Sequence, residues 1–342
     1  MSAELRIDLE QLRANVRAVR HRMAPAEVLV VVKDNAYAQG VEPVVTAALE
    51  AGASWFGAID LDSAVRAKRV AGDRARVFCW MTLSDEEART AIAEGLELGI
   101  GDAGYLERIA EMGMPATVHL KIDTGLHRNG VRPEAWRAFC ARAAELEEAG
   151  IIRVAGVWSH IAEASDEEDD MARATFDRAV GAAWGAGLAP EIRHLAASAA
   201  AWHRSEFRYE LVRIGAFCYG IRSADGPHLE SIAPIASLVG TVTAVGDDVE
   251  VDLGSVDGYP SALAGRAHVA TPGGPRAVLR VGPFSTRVER WDGAGVGDEV
   301  IFFGPGVHGE PTPTDLGELI DTVGEEPLLR ISPLVLRIYS GA

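Results

Sequence analysis

Up to about residue 222, short apolar runs alternate with amphipathic stretches along the chain. The run Val28–Val32 is uninterrupted and is followed by polar, turn-forming residues, a pattern typical of a buried parallel strand. Residues 9–19 and 61–70 instead carry apolar side chains at helical spacing. Because such strand and helix units recur about every 25 to 30 residues and polar motifs follow the strands, the pattern predicts an α/β fold with a (β/α)8 TIM-type barrel.

The pattern changes after Gly226-Pro227, where short β-rich runs separated by glycine turns take over. Residues 235–239 and 241–245 belong to these runs and predict separate strands. Closer to the end, residues 314–323 predict one helix and residues 328–331 a further strand. The second part of the chain is therefore expected to form a smaller, mainly β domain.

The two patterns divide the chain into two predicted domains. We expect the barrel to comprise residues 9–228 and the β domain residues 229–342, with a strand in residues 1–8 joining the β domain. Of the 342 residues, 48% are hydrophobic and 24% are charged, which is the composition of a globular protein with a substantial core.

Charge and cysteine content narrow the function classes. The formal net charge is −17, from 33 basic and 50 acidic residues, and such a surface repels nucleic acids and anionic lipids, so neither is expected as a partner. Cys79, Cys140 and Cys218 lie far apart without C-x-x-C spacing, so neither disulfides nor a metal site is indicated. The N-terminus has no signal-peptide pattern and no apolar run approaches the roughly 20 residues of a membrane span. We expect a soluble, cytoplasmic enzyme.

Lys33 directly follows the apolar run and would lie at the carboxyl end of its strand. In α/β barrels that end of the strands carries the chemistry. A lysine at the rim of an apolar strand is partly desolvated, which favours the neutral amine that forms Schiff bases with carbonyl compounds such as pyridoxal phosphate. On position alone, a lysine that extends into solvent or pairs with a surface carboxylate is an equally good interpretation.

The segment Lys33–Gly40, KDNAYAQG, resembles the cofactor-lysine motif of the alanine racemase family, usually KANAYGHG. Four further segments resemble motifs of that family in the same order, so the resemblance covers nearly the whole chain. They are Lys121–Gly130 (KIDTGLHRNG), Gly156–Ala162 (GVWSHIA), His194–Ala200 (HLAASAA) and Leu211–Gly220 (LVRIGAFCYG).

The resemblance implies that the cofactor is pyridoxal 5'-phosphate, bound to Lys33 as a Schiff base. Tyr37 and Ser198 would contact the phosphate group, together with the backbone amides around Gly215 and Ala216. A hydroxyl, a phenol and exposed N–H groups after barrel strands are a physically reasonable phosphate site. Ser198 could otherwise be a plain helix N-cap.

The resemblance also implies roles for three further side chains. His160 would pack against the pyridine ring, and Arg213 would face the ring nitrogen, keeping it unprotonated and the cofactor a weaker electron sink. Arg128 would contact the cofactor's phenolic oxygen or the substrate carboxylate, with Lys121 positioning it. Taken singly, Arg128 and Lys121 could form ordinary surface ion pairs, and His160 could be a core histidine.

The chain departs from the family's pattern in its second domain. Ser255 stands where the family has a tyrosine that acts as the second acid/base, and a serine hydroxyl is shorter and much less acidic than a phenol. Gly282–Phe284 replace a Ser-Met-Asp segment, and Pro333 replaces another tyrosine. In the family this second face comes from the other subunit of a head-to-tail homodimer.

Three functions stay open from the sequence. The first is a racemase acting at the α-carbon of a small amino acid through Lys33, with Ser255 in the second catalytic position and Tyr259, His127 or a water molecule as the second acid/base. The alternative keeps the cofactor but catalyses one-sided chemistry, such as decarboxylation, aldol cleavage or β-substitution. The third is a non-catalytic pyridoxal-phosphate-binding protein, which the intact Arg213 and Arg128 disfavour.

Overall fold

The computed structural model describes residues 3–163, 165–222 and 229–341. The chain forms two compact units. We call Val19–Asp34 with Ala48–Gly215 the barrel unit, and Met1–Ala18 with Asn35–Ala47 and Ala216–Ala342 the β unit. The predicted domain boundary at residue 228 lies outside the described residues.

In chain order the elements are β1 (Glu4–Asp8), α1 (Leu9–Met23), β2 (Glu27–Val31), α2 (Lys33–Tyr37), α3 (Val41–Glu50), β3 (Trp55–Ala58), α4 (Leu61–Ala71), β4 (Arg76–Cys79), α5 (Asp85–Ala93), β5 (Glu97–Ile100), α6 (Ala103–Glu111), β6 (Ala116–Lys121), α7 (Pro133–Glu148), β7 (Ile152–Trp158), α8 (Asp166–Gly185), β8 (Ile192–His194), α9 (Ser198–His203), β9 (Leu211–Ile214), β10 (Ala236–Val245), β11 (Asp248–Val251), β12 (His268–Thr271), β13 (Gly274–Val281), β14 (Thr286–Glu289), β15 (Glu299–Phe303), α10 (Pro313–Leu319), α11 (Glu325–Leu329) and β16 (Leu336–Ser340).

The barrel unit contains an eight-stranded parallel sheet in the order β8-β7-β6-β5-β4-β3-β2-β9. Leu29 of β2 pairs with Trp55 of β3 on one side and with Arg213 of β9 on the other. The Arg213 amide donates a hydrogen bond of 3.2 Å to the Ala196 carbonyl just after β8, which brings the two ends of the sheet together. This arrangement confirms the predicted (β/α)8 barrel.

Side-chain caps set the start of three barrel helices, among them α4, which begins at the predicted residue 61. Asp60, Ser84 and Asp102 are the N-caps of α4, α5 and α6, and each side chain accepts a hydrogen bond from the backbone N–H three residues later. These bonds satisfy amides that the first helical turn leaves unpaired. No described helix combines the length and apolarity needed to cross a bilayer.

The β unit is built on a second sheet in the order β11-β14-β13-β12-β15-β10-β1-β16, with an additional β11–β10 pairing. The N-terminal strand β1 pairs antiparallel with β10 and parallel with β16. The additional pairing joins one end of the sheet back to β10, so these strands curve into a small antiparallel barrel. The predicted barrel followed by a mainly β domain is therefore confirmed as a fold class.

Two details of the β unit differ from the prediction. The two strands predicted at 235–239 and 241–245 are one strand, β10, from Ala236 to Val245, because Gly240 continues the strand pairing at a crowded site. A Cβ at Gly240 would lie 2.7 Å from Val251 Cγ1. The strand predicted at 328–331 is wrong, since Leu328 and Leu329 belong to helix α11, and Arg330 donates a side-chain hydrogen bond to Glu326 one turn earlier.

Candidate active site

The barrel topology places the predicted cofactor residues of the barrel unit at one end. Lys33 follows β2, whose residues from Val28 onward are buried, and His160 follows β7. Ser198 follows β8, and Gly215 directly follows β9. Because the carboxyl ends of parallel barrel strands share one face, these side chains and amides converge there.

The segment after Lys33 is a left-handed helical turn. Five consecutive residues, Asp34 to Ala38, have φ values between 53° and 63°. This conformation costs about 1–2 kcal/mol for each residue with a Cβ, with asparagine and aspartate tolerating it best. The sequence predicted only a polar turn here, because Ala36 and Tyr37 give no signal for such backbone. Strain of this kind persists only where surrounding contacts enforce it, and it concentrates at functional sites.

The contacts at either end of the turn support it. The Asp34 amide donates to Asp60 Oδ2 at 3.1 Å, so the same aspartate caps α4 and holds the start of the turn. In the β unit, the Gly40 amide donates to the Asn35 carbonyl at 2.9 Å. Tyr37 is buried there against Tyr219, with ring centroids 4.8 Å apart.

Arg213 is buried and almost fully engaged. Its Nη1 donates to the His194 carbonyl at 2.9 Å and lies 3.2 Å from His194 Nδ1, while Nη2 donates to the Ser159 and Leu195 carbonyls at 2.8 and 2.9 Å. Its Nε–H has no acceptor among the described residues. Burial, and then the charge of Arg128, lower the pKa of Arg213 to about 9, which leaves the guanidinium charged at neutral pH.

His160 lies among four cationic side chains. Its Nδ1 is 3.2 Å from Arg213 Nη2 and accepts a hydrogen bond from it. Burial first, and then the charges of Arg213, Arg128, Lys121 and Lys33, lower the pKa of His160 to about 3. The imidazole is therefore neutral at physiological pH, and its flat ring is suited to stacking. A cluster of cations around a neutral ring favours a planar, anionic ligand.

Lys121 is buried at the end of β6. Its Nζ lies 4.4 Å from the centroid of the Trp158 ring, and burial, followed by the charges of Arg213 and Arg128, lowers its pKa to about 8. Asp123 opposes that shift. Arg128 is exposed, so its predicted positioning by Lys121 stays a prediction.

Ser198 is the first residue of α9 and is partly exposed, while the N-cap is Ala197, whose side chain makes no capping bond. The interpretation of Ser198 as a plain N-cap is therefore wrong. Glu163, which sequence reasoning missed, accepts a hydrogen bond of 2.8 Å from the Ala200 amide in the same turn. Burial raises the pKa of Glu163, which favours the uncharged carboxyl and weakens its repulsion of a nearby anion.

The β unit carries Tyr37, Ala216 and Ser255, and their predicted roles stay predictions. Ser255 is exposed, and its amide donates to the Gly282 carbonyl at 2.9 Å. The next residue, Val256, is also exposed, and its amide donates to the Pro283 carbonyl at 2.9 Å.

A third backbone hydrogen bond connects the segment around Pro333, the last of the predicted departures from the family pattern, to the same loop. The Ser332 amide, beside Pro333, donates to the Asp257 carbonyl at 3.0 Å. The structure thus brings the departures at Ser255, Gly282–Phe284 and Pro333 together. We call Ser255, Val256, Pro283, Phe284, Pro333 and Leu334 the exposed patch.

Two other candidates for a second acid/base differ in access. Tyr259 is buried against Phe302, with ring centroids 4.9 Å apart, and burial raises its pKa, so it is unsuited to exchange protons with a substrate. His127 is exposed, and its Nδ1 lies 2.9 Å from Asp123 Oδ2. Within the described residues, no cluster of three or more histidine, cysteine, aspartate or glutamate side chains could hold a metal ion.

Comparisons with known proteins agree over nearly the whole chain. The sequence profile of the family described as alanine racemase, N-terminal domain, matches residues 7–223. The alanine racemase of Thermobifida fusca (strain YX) is 35% identical over 371 aligned positions, covering 99% of this chain and 98% of its own. The solved structure of alanine racemase from Streptomyces coelicolor A3(2) is 31% identical with a TM-score of 0.92, covering 100% of this chain and 98% of its own. Alanine racemase from a D-cycloserine-producing Streptomyces lavendulae is 30% identical with a TM-score of 0.90, with the same coverage.

Proposed function

The chain belongs to the alanine racemase family, and on that premise we propose that it interconverts the enantiomers of a small amino acid, with alanine as the first candidate. Enzymes of this family use pyridoxal 5'-phosphate, and the chain is a pyridoxal-phosphate-dependent, racemase-like isomerase acting at the α-carbon. The choice of alanine rests on the names of the relatives. The roles of individual residues rest on the geometry of the barrel unit.

The observation that carries the proposal is the cluster of Lys33, Lys121, Arg128 and Arg213 around the neutral ring of His160. The cofactor combines a flat aromatic ring with a phosphate and a phenolate, and the cluster matches those features. The Nε–H of buried Arg213 still lacks an acceptor among the described residues, and the pyridine nitrogen is a suitable one.

The bound cofactor supplies an electron sink that makes the α-proton of an amino acid removable. Lys33 would hold the cofactor covalently and, through Nζ, take up or return that proton on one face. His160 would orient the ring, and Arg213 would hold its proton on the guanidinium, so that the ring nitrogen receives a hydrogen bond and no charge. Ser198 and the amide of Gly215 would bind the phosphate.

The exposed patch favours one alternative function. Without a phenol at Ser255, an enzyme with one good acid/base would exchange the α-proton on one face only, as in a decarboxylase, an aldolase or a β-substituting enzyme. Protein incubated with L- or D-alanine in deuterated water distinguishes these possibilities. Racemisation predicts deuterium at the α-carbon of both enantiomers, whereas retention of configuration, or release of carbon dioxide or an aldehyde, would contradict it.

The covalent site can be located unambiguously because the sequence has three lysines, Lys33, Lys68 and Lys121. Borohydride reduction of the loaded protein followed by peptide mapping should label the peptide containing Lys33. Label on Lys68 or Lys121 would overturn the assignment. A labelled Lys33 with no turnover of any amino acid would instead support a non-catalytic binding protein.

We also propose that the protein is a head-to-tail homodimer located in the cytoplasm. Large side chains of the β unit are exposed, among them Phe284 and Leu334 at 71% each. Apolar residues clustered at a surface in this way are typical of an interaction site. Cys79, Cys140 and Cys218 are buried and form no disulfide among the described residues, which is typical of proteins of a reducing compartment.

A further inference from the structure

We infer that Glu97, at the start of β5, is a positioning residue for Arg213, acting across the barrel interior through His119 and His194. The inference rests on the proposed function in one respect, namely that Arg213 faces the pyridine nitrogen of the cofactor. The four side chains come from β5, β6, β8 and β9, so the barrel fold alone brings them into line.

The four groups form a continuous chain of contacts. Glu97 Oε2 lies 2.7 Å from His119 Nε2, and His119 Nδ1 lies 2.9 Å from His194 Nε2. His194 Nδ1 lies 3.2 Å from Arg213 Nη1. Both histidines are fully buried, and Glu97 and Arg213 are 6% and 5% exposed.

Arg213 and Glu97, the two ends of this hydrogen-bonded series, determine the direction of every hydrogen bond between them. A guanidinium can only donate, and an ionised carboxylate can only accept. Arg213 must therefore donate to His194 Nδ1. His194 in turn donates from Nε2–H to His119 Nδ1, and His119 donates from Nε2–H to Glu97. This arrangement satisfies all the groups only when each imidazole is neutral with its proton on Nε2. In agreement, burial lowers the pKa of both His119 and His194.

Aromatic rings enclose these hydrogen-bonded side chains. The Trp158 ring stacks on His194 at a centroid distance of 5.6 Å and an angle of 7°, and Phe78 lies 4.7 Å from the His119 ring. Arg213 also lies over Trp158, at 5.3 Å from its centroid. In a site closed to water a misdirected polar group has no alternative partner, so the cost of reversing one bond is high.

Glu97 is itself held at the opposite end of the barrel. Arg76 donates from Nη2 to Glu97 Oε2 at 2.8 Å and from Nε to Oε1, and its guanidinium lies 4.1 Å from the centroid of the Trp55 ring. Burial alone would raise the pKa of Glu97, but the hydrogen bonds from His119 and Arg76 lower it to about 2. Glu97 is therefore ionised at physiological pH and can only accept hydrogen bonds.

Arg76 and Glu97 line a cavity of about 780 Å³ at the amino-terminal ends of the barrel strands, together with Arg153 and Glu191. Glu191 pairs with Arg153 at 2.6 Å and also lies 3.8 Å from Arg76, so a change at Glu191 removes a charge beside Arg76 without touching the two histidines. Glu191 is thus a carboxylate in the same cavity that has no hydrogen bond to the histidine chain, which makes it a matched control.

The functional consequence concerns the Nε–H of Arg213. With His194 accepting at Nδ1, the guanidinium is fixed in rotation and directs Nε–H to the place proposed for the ring nitrogen. In a Glu97→Gln variant only one of the two side-chain atoms can accept, whereas Arg76 donates at both positions and His119 at one of them. When the oxygen turns to Arg76 Nε, the amide NH2 faces His119. The direction of the hydrogen bonds between His119 and His194 can then reverse. In that arrangement His194 carries its proton on Nδ1, and this N–H faces the N–H of Arg213 Nη1, so that two donors oppose each other.

The test compares Glu97→Gln with Glu191→Gln in the full-length, loaded protein. Two quantities are measured for each variant. One is the absorption spectrum of bound pyridoxal phosphate as a function of pH, and the other is the dissociation constant of pyridoxal phosphate. Losing one well-aligned bond to a charged group predicts roughly tenfold weaker binding and a shift of about one unit in the spectral titration for Glu97→Gln. Glu97→Asp, which keeps an acceptor-only end, should restore the titration in part, and Glu191→Gln should match the parent protein. An unchanged titration in Glu97→Gln, with only a lower thermal midpoint, would overturn the inference.

A second measurement needs no cofactor and stands apart from the proposed function. Long-range ¹H–¹⁵N spectra of the unloaded parent protein report which ring nitrogen of each histidine carries the proton. We expect the Nε2–H form for both His119 and His194, and the opposite form for at least one of them in Glu97→Gln. An Nδ1–H form in the parent protein would contradict the directed chain even if the cofactor binds. Failure of the proposed function would appear instead as missing label on Lys33.

Discussion

The candidate residues of the barrel unit and those of the β unit are held in opposite ways. In the barrel unit, both terminal nitrogens of Arg213 donate to backbone carbonyls inside the sheet, and Arg213 Nη2 also contacts His160 Nδ1. In the β unit, Ser255 and Phe284 lie exposed on loops. A change at Arg213 would leave buried carbonyls without a partner, at a cost of about 1–3 kcal/mol each, whereas a change in the exposed patch costs little stability.

This difference agrees with the predicted positions of the departures from the family motifs. The residues of the barrel unit can change only together with their partners, which supports the proposal that they hold the cofactor. The exposed patch can change one residue at a time, and Ser255, Pro283 and Pro333 lie beside one another there. On the proposed roles, we expect substrate and reaction to vary through the β unit while the cofactor residues stay constant.

The largest expected effect is on the barrel side of the comparison. Lys33→Ala should reduce turnover more than about 10³-fold, because the variant loses both the covalent attachment and the acid/base on one face. Turnover of L- and D-alanine by chiral chromatography measures it. Lys68→Ala is the matched control, since Lys68 bonds the Gly72 carbonyl at the end of α4. Equal activity of the two variants would exclude Lys33 as the cofactor lysine.

The second prediction concerns stability in mild acid. Burial lowers the pKa of His119, His194 and His160, the last to about 3, so the folded protein keeps them neutral while the unfolded chain binds protons below a pH of about 6.5. Because the unfolded state binds more protons, the free energy of unfolding falls with decreasing pH. The slope is up to about 1.4 kcal/mol per pH unit for each histidine.

Urea unfolding at about pH 7.5 and about pH 5 measures this slope. His160→Asn should reduce it, whereas His308→Asn, at an exposed position of the β unit, should not. A parent protein of equal stability at both pH values would show that the buried histidines of the barrel unit do not govern its acid sensitivity.

The third prediction concerns association through the exposed patch. Phe284→Asp should weaken homodimerisation by about 1–2 kcal/mol or more, because a buried aromatic contact would be replaced by a charge that loses its water. Sedimentation velocity over a range of concentrations measures the change. Val296→Asp is the control, since Val296 is equally exposed, at 71%, and lies in the turn between β14 and β15. A parent protein that sediments as a monomer would contradict the proposed dimer.

How much could be predicted from the sequence differs in the same way between the units. The hydrophobic periodicity and the side-chain caps locate the barrel elements well, and α4, at Leu61–Ala71, ends one residue beyond the predicted 61–70. In the β unit the strands β13 and β14 were not predicted, because β13 carries Arg276 and the exposed Arg280, and β14 lies among polar residues without a regular apolar pattern. There, pairing between distant strands decides the structure, and local sequence does not report it.

For the candidate site, motifs identified Lys33 and Arg213, but no motif pointed to Glu97 or Glu163. Glu97 starts an ordinary strand, and its role depends on two histidines that are distant in sequence. Glu163 meets the turn of α9 only because β7 and β8 are neighbours in the barrel. Such relations arise from the closure of the sheet, so they become visible only in three dimensions.

The last prediction asks whether the missing phenol is what separates this chain from its relatives. Ser255 is exposed, so the larger ring of Ser255→Tyr can be accommodated without disturbing the core. A phenol in this position could act as acid/base on the second face, a contribution of typically 10²–10⁴-fold. Because Pro283 and Pro333 have also changed around it, we expect a smaller gain of about tenfold in alanine racemisation. Ser255→Phe has the same shape without the hydroxyl and should show no gain. A gain in both variants would mean that added apolar contact, rather than proton transfer, had raised the rate. No gain in either variant would place the second acid/base elsewhere, and exposed His127, beside Asp123, would be the next residue to test.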